Sequence, residues 1–257
     1  MNTNINEGID INPRSKKISY NPNHEKNLVT GNYKFIPNPI YSKFKGFKVI
    51  SLFERKKSDI VKNDASPIIY ALKGEKGWIF SSEYDFRELF KCFIRIIREL
   101  QEKYDTICIV PSSNRLNYRA MSYIAKYVDA KYKISEFMYK MDADTVWEDC
   151  IDWEQIEYDF KNPDYAQKVL ANCFNSMPNN IFRYHDINPV SYRKYIKNIF
   201  YIPNAEIIKN AKYFNGKKVL VIDDTIATGK SMADCCQTII DTFDCKSITI
   251  LTLFSRL

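Results

Sequence analysis

The stretch Lys218-Val-Leu-Val-Ile-Asp-Asp-Thr-Ile-Ala-Thr-Gly-Lys-Ser231 constrains the chain more than any other. Four consecutive apolar residues, Val219 to Ile222, mark a strand buried on both faces, as a parallel sheet requires. Two adjacent acids, Asp223 and Asp224, stand at its carboxyl end. A short loop rich in hydroxyls and containing Gly229 follows, and a helix is expected to begin near Ser231. In open α/β sheets, ligands bind at these carboxyl-terminal strand ends. Backbone N–H groups of such a loop and helix start cradle a phosphate. Gly229 permits close approach, and the hydroxyls of Thr225, Thr228 and Ser231 add donors. Paired carboxylates beside that cradle suit a diol, since each accepts a hydrogen bond from a hydroxyl. Phosphate and diol together describe a ribose 5-phosphate.

The surrounding pattern agrees with an α/β fold. Phe86, Leu89, Phe90, Phe93, Ile97 and Leu100 recur at three- and four-residue spacing, which makes the apolar stripe of a helix that Asp85 is expected to cap. Thr106 to Val110 reads as a buried strand stopped by Pro111. A helix with Met121, Ile124, Ala125 and Val128 on one face comes next, then a strand from Tyr132 to Phe137. Helix, strand, helix and strand in this order indicate a parallel sheet flanked by helices, Rossmann-like in kind. Asn198 to Ile202 is expected as a further strand, Ser231 to Phe243 as a helix and Ile248 to Phe254 as a final strand. Between them, residues 138–196 break the rhythm as a helical insertion. From Asp142 to Asp159 the chain holds eight acids and no Lys or Arg. Before residue 85 the pattern is weaker. Residues 1–46 read as a polar arm without sustained periodicity. Residues 47–84 read as a small β element, with strands at Phe47–Phe53, Ile68–Leu72 and Trp78–Phe80.

Composition narrows the chemistry. A charged fraction of 27% with 45% hydrophobic residues is a globular balance, and no apolar run approaches the ~20 residues of a membrane span. The opening Met-Asn-Thr-Asn-Ile-Asn has neither the basic region nor the apolar core of a secretory signal, so a cytoplasmic protein is expected. Seven cysteines without a Cys-x-x-Cys pair fit buried, reduced thiols in that compartment. With two histidines, His24 and His185, a structural zinc site and a Ser-His-Asp or Cys-His hydrolase are disfavoured. Thr228-Gly-Lys-Ser231 looks like the tail of a P-loop, but that turn needs glycine at position 224, where Asp224 stands.

Val219 to Ser231 closely resembles the phosphoribosyl pyrophosphate motif of type I phosphoribosyltransferases: four apolar residues, two acids, two mostly aliphatic positions, then a Thr-Gly phosphate loop. Three positions depart from it. Thr225 replaces the usual aliphatic residue, Ala227 stands where Thr or Asp is common, and Lys230 where many members have a second glycine. Ala-Thr-Gly is similar to the adenine branch and Gly-Lys-Ser-Met to the hypoxanthine–guanine branch. In the latter an Asp at the Ala227 position is thought to handle a purine proton. Upstream, Ile107 to Val110 leads into Pro111-Ser-Ser-Asn-Arg115, which resembles the family's pyrophosphate loop. The order of this loop, the Arg-Leu-Asn-Tyr-Arg helix and the acid pair is similar, more loosely, to the ComF-like group. The resemblance covers roughly residues 85–257.

It implies displacement of pyrophosphate from C1 of phosphoribosyl pyrophosphate by a nitrogen base, with Mg²⁺. Asp223 and Asp224 would hold the ribose hydroxyls and, through water, the metal. Thr225, Ile226, Ala227, Thr228, Gly229, Lys230 and Ser231 would hold the 5′-phosphate; Ser112, Ser113, Asn114 and Arg115 would hold the pyrophosphate. A lid cation would come from Lys140, Arg183, Arg193 or Lys194. The hood that recognises the base would come from residues 47–84 or the insertion, with Tyr70, Trp78, Trp147 and Trp153 as stacking candidates. A homodimer is the family's expectation. Two other activities share the motif. One is a non-transferring regulator or antiphage (retron-type) effector that binds nucleotide or nucleic acid. The other is a nucleosidase-like hydrolase acting at the same ribose carbon. The basic first 64 residues, with twelve Lys plus Arg against six acids, suit a nucleic-acid partner, and the acidic insertion a basic protein surface.

Overall fold

A computed structural model describes residues 8–21, 28–29, 31–33, 36–55, 66–100, 102–112, 115–226 and 229–255. In chain order the elements begin with β1 (Gly8–Asn12), β2 (Lys17–Asn21), β3 (Leu28–Val29), β4 (Gly31–Tyr33), β5 (Ile36–Asn38), β6 (Ile40–Phe44) and β7 (Phe47–Arg55). Next come α1 (Ser66–Lys73), β8 (Ile79–Phe80), α2 (Glu83–Arg98), β9 (Thr106–Ile109), α3 (Leu116–Ile124) and β10 (Tyr132–Ile134). They continue through β11 (Tyr139–Lys140), α4 (Ala143–Asp149), α5 (Trp153–Asp159), α6 (Pro163–Asn175), β12 (Phe200–Tyr201) and α7 (Asn204–Phe214). The last three are β13 (Lys218–Ile226), α8 (Lys230–Thr242) and β14 (Ser247–Ser255). No helix among the described residues is long and apolar enough to cross a membrane.

The chain divides into two units: Met1–Ser135 with Gly216–Ala227 and Lys246–Leu257, and Glu136–Asn215 with Thr228–Cys245. The first is built on a sheet whose five parallel strands run in the order β10-β9-β13-β14-β7, with β6 and β3 antiparallel on β7. This is the α/β class expected from the sequence. From β9 the chain moves outward to β10, and from β13 it moves the other way to β14. The strand order therefore reverses between β9 and β13, which is where such sheets bind ligands. Ile50, Leu52, Leu89, Cys92, Ile96, Ile97, Ile107, Leu220, Ile222 and Leu251 share one buried core. Five of the seven cysteines are buried.

Several local expectations change. Ile68–Leu72 is helical, not a strand. Pro67 sits in the first turn of α1, where its fixed φ suits a helix and no N–H is needed. Gly74, at φ 71, ends that helix, with the Glu75 amide donating to the Tyr70 carbonyl at 2.7 Å. Ser82, not Asp85, is the cap of α2. Its Oγ accepts from the Asp85 amide, while the Asp85 carboxylate accepts from the Tyr20 amide at 2.8 Å. The polar stretch 1–46 is not wholly irregular, because β1 and β2 form a hairpin that inserts Ile9 and Ile18, both fully buried, into the core. β7 likewise pairs with β14 inside the main sheet rather than standing apart.

The second unit has an aromatic interior. Trp147 meets Trp153 and Phe174, Phe182 meets Phe174 and Tyr184, and Phe214 stacks on Phe243 and meets Phe137. The strand expected at Asn198–Ile202 shrinks to β12, which pairs with β11 and not with the main sheet. Helix α7 precedes the Gly216 turn into β13.

Candidate functional site

β13 extends past the acid pair to Ile226, held by parallel pairing with β14 as far as Ser255. Asp223, Asp224, Thr225 and Ile226 therefore lie in extended backbone. Consecutive side chains leave a strand on opposite faces, so the two carboxylates diverge. Asp224, on the face of Leu220 and Ile222, is 6% exposed and forms an ion pair with Lys73 of α1 at 2.6 Å between Nζ and Oδ2. Its Oδ1 accepts from the Thr225 hydroxyl at 2.5 Å. Asp223 Oδ1 accepts from the Asn117 side-chain amide of α3 at 3.0 Å and from the Asp224 amide at 2.9 Å. Burial, with the neighbouring Asp224 charge second, pushes the Asp223 carboxyl up to about 7, against the opposing pull of the Asn117 hydrogen bond and Lys73.

Asn117 joins the two sides of the sheet's switch point. Its Nδ2 donates both to Asp223 and to the carbonyl of Val110, at the end of β9, 3.2 Å away. Its Oδ1 is buried and has no hydrogen-bond partner among the described residues. The expected pyrophosphate loop lies between these anchors. Ser112 and Arg115 are exposed, and Arg115 stands at the amino end of α3. Ser113 and Asn114 lie outside the described residues.

The expected phosphate loop, residues 225–231, follows the acid pair in sequence. Ala227 and Thr228 lie outside the described residues. Gly229 caps α8 with φ 69, the left-handed conformation that glycine adopts without strain. The α8 start thus offers backbone N–H groups at Lys230 and Ser231. The Lys230 ammonium is engaged elsewhere: it pairs with Asp234 at 2.6 Å, with side chains only 12% and 8% exposed. Asp234 also accepts from the Tyr184 hydroxyl at 2.5 Å. Burial, then the Asp234 charge, raises the Tyr184 phenol far above its usual value. What Lys230 can offer an anion while this network stands is its amide.

The remaining candidates are placed as follows. Lys194 pairs with Asp159, the Arg193 Nε donates to the Ile187 carbonyl, and the Lys140 ammonium lies 5.5 Å from the Phe182 ring centre. Arg183 precedes a short 3-10 turn. Tyr70 receives a hydrogen bond from Lys76, and Trp78 packs against the first unit's core. Trp147 and Trp153 pack edge-to-face against each other.

Two residues of this site escaped the sequence reading. Asn117 carried a signal: it falls on the stripe Asn117, Ala120, Met121, Ile124, where a polar side chain is out of place. Lys73 carried none, since its segment reads as a strand and its partner is 151 positions away.

Residues 171–257 match the family model of the phosphoribosyl transferase domain, a stretch that contains β13, the acid pair, α8 and β14. No curated protein matches the chain. The match supports phosphoribosyl transfer in general and reaches neither α1 nor α3. Residues 171–257, which supply β13 and β14 of the parallel sheet, are thus similar to the phosphoribosyl transferase domain.

Proposed function

We propose that the protein binds phosphoribosyl pyrophosphate and transfers its phosphoribosyl group to a nitrogen base, releasing pyrophosphate. One observation carries this reading: the acid pair sits at the switch point of a parallel sheet, anchored there by Asn117, and runs within five residues into a glycine-capped helix start. Asp223 offers a carboxylate oxygen to a ribose hydroxyl. The amides of Lys230 and Ser231 suit the 5′-phosphate, and Ser112 and Arg115 suit the diphosphate. Departure of pyrophosphate leaves oxocarbenium character on the ribose, so the protein's task is to stabilise charge on the leaving group and exclude water.

Among the described residues no three His, Cys, Asp or Glu side chains cluster to cage a metal. The arrangement fits Mg²⁺ in its usual role with nucleotides, held by substrate phosphates and water with one carboxylate behind them. Asp223 is the residue placed for that, because both Asp224 oxygens already have partners. The ion would neutralise diphosphate charge.

A second reading has one observation in its favour. A carboxyl pushed up to about 7, as Asp223 is, suits a general base that activates water for attack on the same ribose carbon. Calorimetry with phosphoribosyl pyrophosphate and Mg²⁺ on the parent and Asp223→Asn, followed by pyrophosphate release across a panel of bases, separates the cases. Transfer predicts binding that Asp223→Asn weakens at least about tenfold, with release for some base. No binding by the parent removes the reading. Binding without release for any base favours a non-transferring protein, and free base liberated from nucleotides favours the hydrolase.

A further inference from the structure

We infer that Lys73 is the resident countercation of the acid pair, holding at Asp224 the place a divalent ion would otherwise compete for. Reading of the ligand's hydroxyls then falls to Asp223. The inference deepens the proposed function and rests on it for the identity of the ligand.

Two adjacent carboxylates in a partly dry site repel each other and also repel any phosphate brought beside them. Lys73 removes most of that cost on one side. Its ammonium lies 2.6 Å from Asp224 Oδ2, with the lysine side chain 17% and the aspartate 8% exposed, so water screens the pair little. With Thr225 Oγ1 on Oδ1, the Asp224 carboxylate is fixed at both oxygens. Asp223 differs. Both bonds given for it fall on Oδ1, which leaves Oδ2 open among the described residues. Beside it lies the Asn117 amide, itself wholly buried, whose Oδ1 has no partner among those residues. The half-buried Asp223 thus keeps one oxygen for a hydroxyl of the ligand, while Asp224 keeps none. Lys73 comes from residues 47–84, so a segment outside the family match contributes to the site's charge balance.

The test is calorimetry on the full chain and on Lys73→Met and Lys73→Arg, with two probes: Mg²⁺ alone, and ribose 5-phosphate with and without Mg²⁺. Loss of the ammonium frees Asp224, so Lys73→Met is expected to take up Mg²⁺ at least about tenfold more tightly than the parent, and Lys73→Arg is not. Without metal, Lys73→Met should bind ribose 5-phosphate about tenfold more weakly than the parent and regain affinity when Mg²⁺ is added. The parent's affinity should change less than the variant's. If Lys73→Met gains no Mg²⁺ affinity over the parent, the countercation role is overturned. The same holds if its ribose 5-phosphate binding equals the parent's without metal. A parent that binds no ribose 5-phosphate under any condition removes the ligand reading, and the Mg²⁺ arm still decides the role of Lys73. Lys73→Arg guards against misfolding: if Lys73→Met unfolds, an arginine variant that binds Mg²⁺ at least about tenfold more tightly than the parent would refute the proposal.

Discussion

Replacing Asp223 by Asn should stabilise the fold at neutral pH while it weakens binding of the proposed ligand. Burial and the Asp224 charge lift this carboxyl from 3.8 to about 7. A raised folded-state value means that the native state holds a proton the unfolded chain has already released. The group's contribution to stability is therefore complete below about pH 4 and is lost as the pH climbs through about 7. At ~1.4 kcal/mol per pH unit, the loss across that window has a ceiling of roughly 4 kcal/mol, reduced in practice because the proton is shared with Asp224. Asparagine keeps the hydrogen bonds, since its Oδ1 accepts from the Asn117 side chain and the Asp224 amide as the carboxylate does. It removes the titration. Urea unfolding followed by far-ultraviolet circular dichroism, from about pH 4.5 to about pH 8.5, measures the difference between variant and parent. Both proteins share His24 and His185, so these cancel. The variant's advantage should grow across the range, by at most about 3 kcal/mol. Parallel stability curves, or a variant that loses ground as pH rises, would refute the assignment of a raised carboxyl to this position.

Three more outcomes are expected. Lys230→Met strands the Asp234 carboxylate beside Tyr184 in a site only 8% exposed, which should cost about 3 kcal/mol. Removing Asp234 as well should cost less than the two single losses together, and strict additivity in a chemical-denaturation cycle would dismiss the pair. Ile18→Ala should lower stability by about 2–4 kcal/mol, because the side chain is fully buried in the first unit's core. A thermal shift equivalent to under about 1 kcal/mol would show that the β1–β2 hairpin contributes little. Gly229→Ala forces a Cβ onto a left-handed residue and should cost about 1 kcal/mol, read by the same denaturation; a neutral substitution would mean that the α8 start is free to readjust.

What was legible in the sequence followed from local rules. Val219 to Ile222 had to be a buried strand because four apolar side chains in succession leave no face for water. The α2 stripe and the helix after Gly229 were equally plain. Misreadings arose where neighbours in space decide. Ile68–Leu72 has a strand's composition, but the Ser-Pro start and the Gly74 stop make one short helix of it. Ile9 and Ile18 are isolated apolar residues in a polar stretch, and only pairing of β1 with β2 brings them to the core. The acid pair was found as a motif, but its geometry was not. Nothing local said that β13 would stay extended to Ile226, and it is that extension which turns Asp224 to Lys73 and Asp223 away from it.

The acidic run from Asp142 to Asp159 is the instructive case, since eight acids in a chain proposed to bind a phosphate look hostile to that ligand. Helices α4 and α5 are seven residues each, too short to stand without help at their ends. Asp142 caps α4 by accepting from the Thr145 amide, and Asp152 caps α5 by accepting from the Gln155 amide. Asp144 and Glu154 lie in the first turns, where negative charge favours the helix dipole. Asp144 also exchanges hydrogen bonds with Asn180. Asp152 then pairs with Lys197, and Asp159 with Lys194, whose ammonium together with Tyr195 holds the Asp159 carboxyl down to about 2. Lys194 is thereby committed within its own unit and is a weaker lid cation than its charge suggests. Four of the eight acids stand at the starts of two minimal helices, where a carboxylate is needed, and Asp152 and Asp159 are paired with lysines placed after the run in the chain.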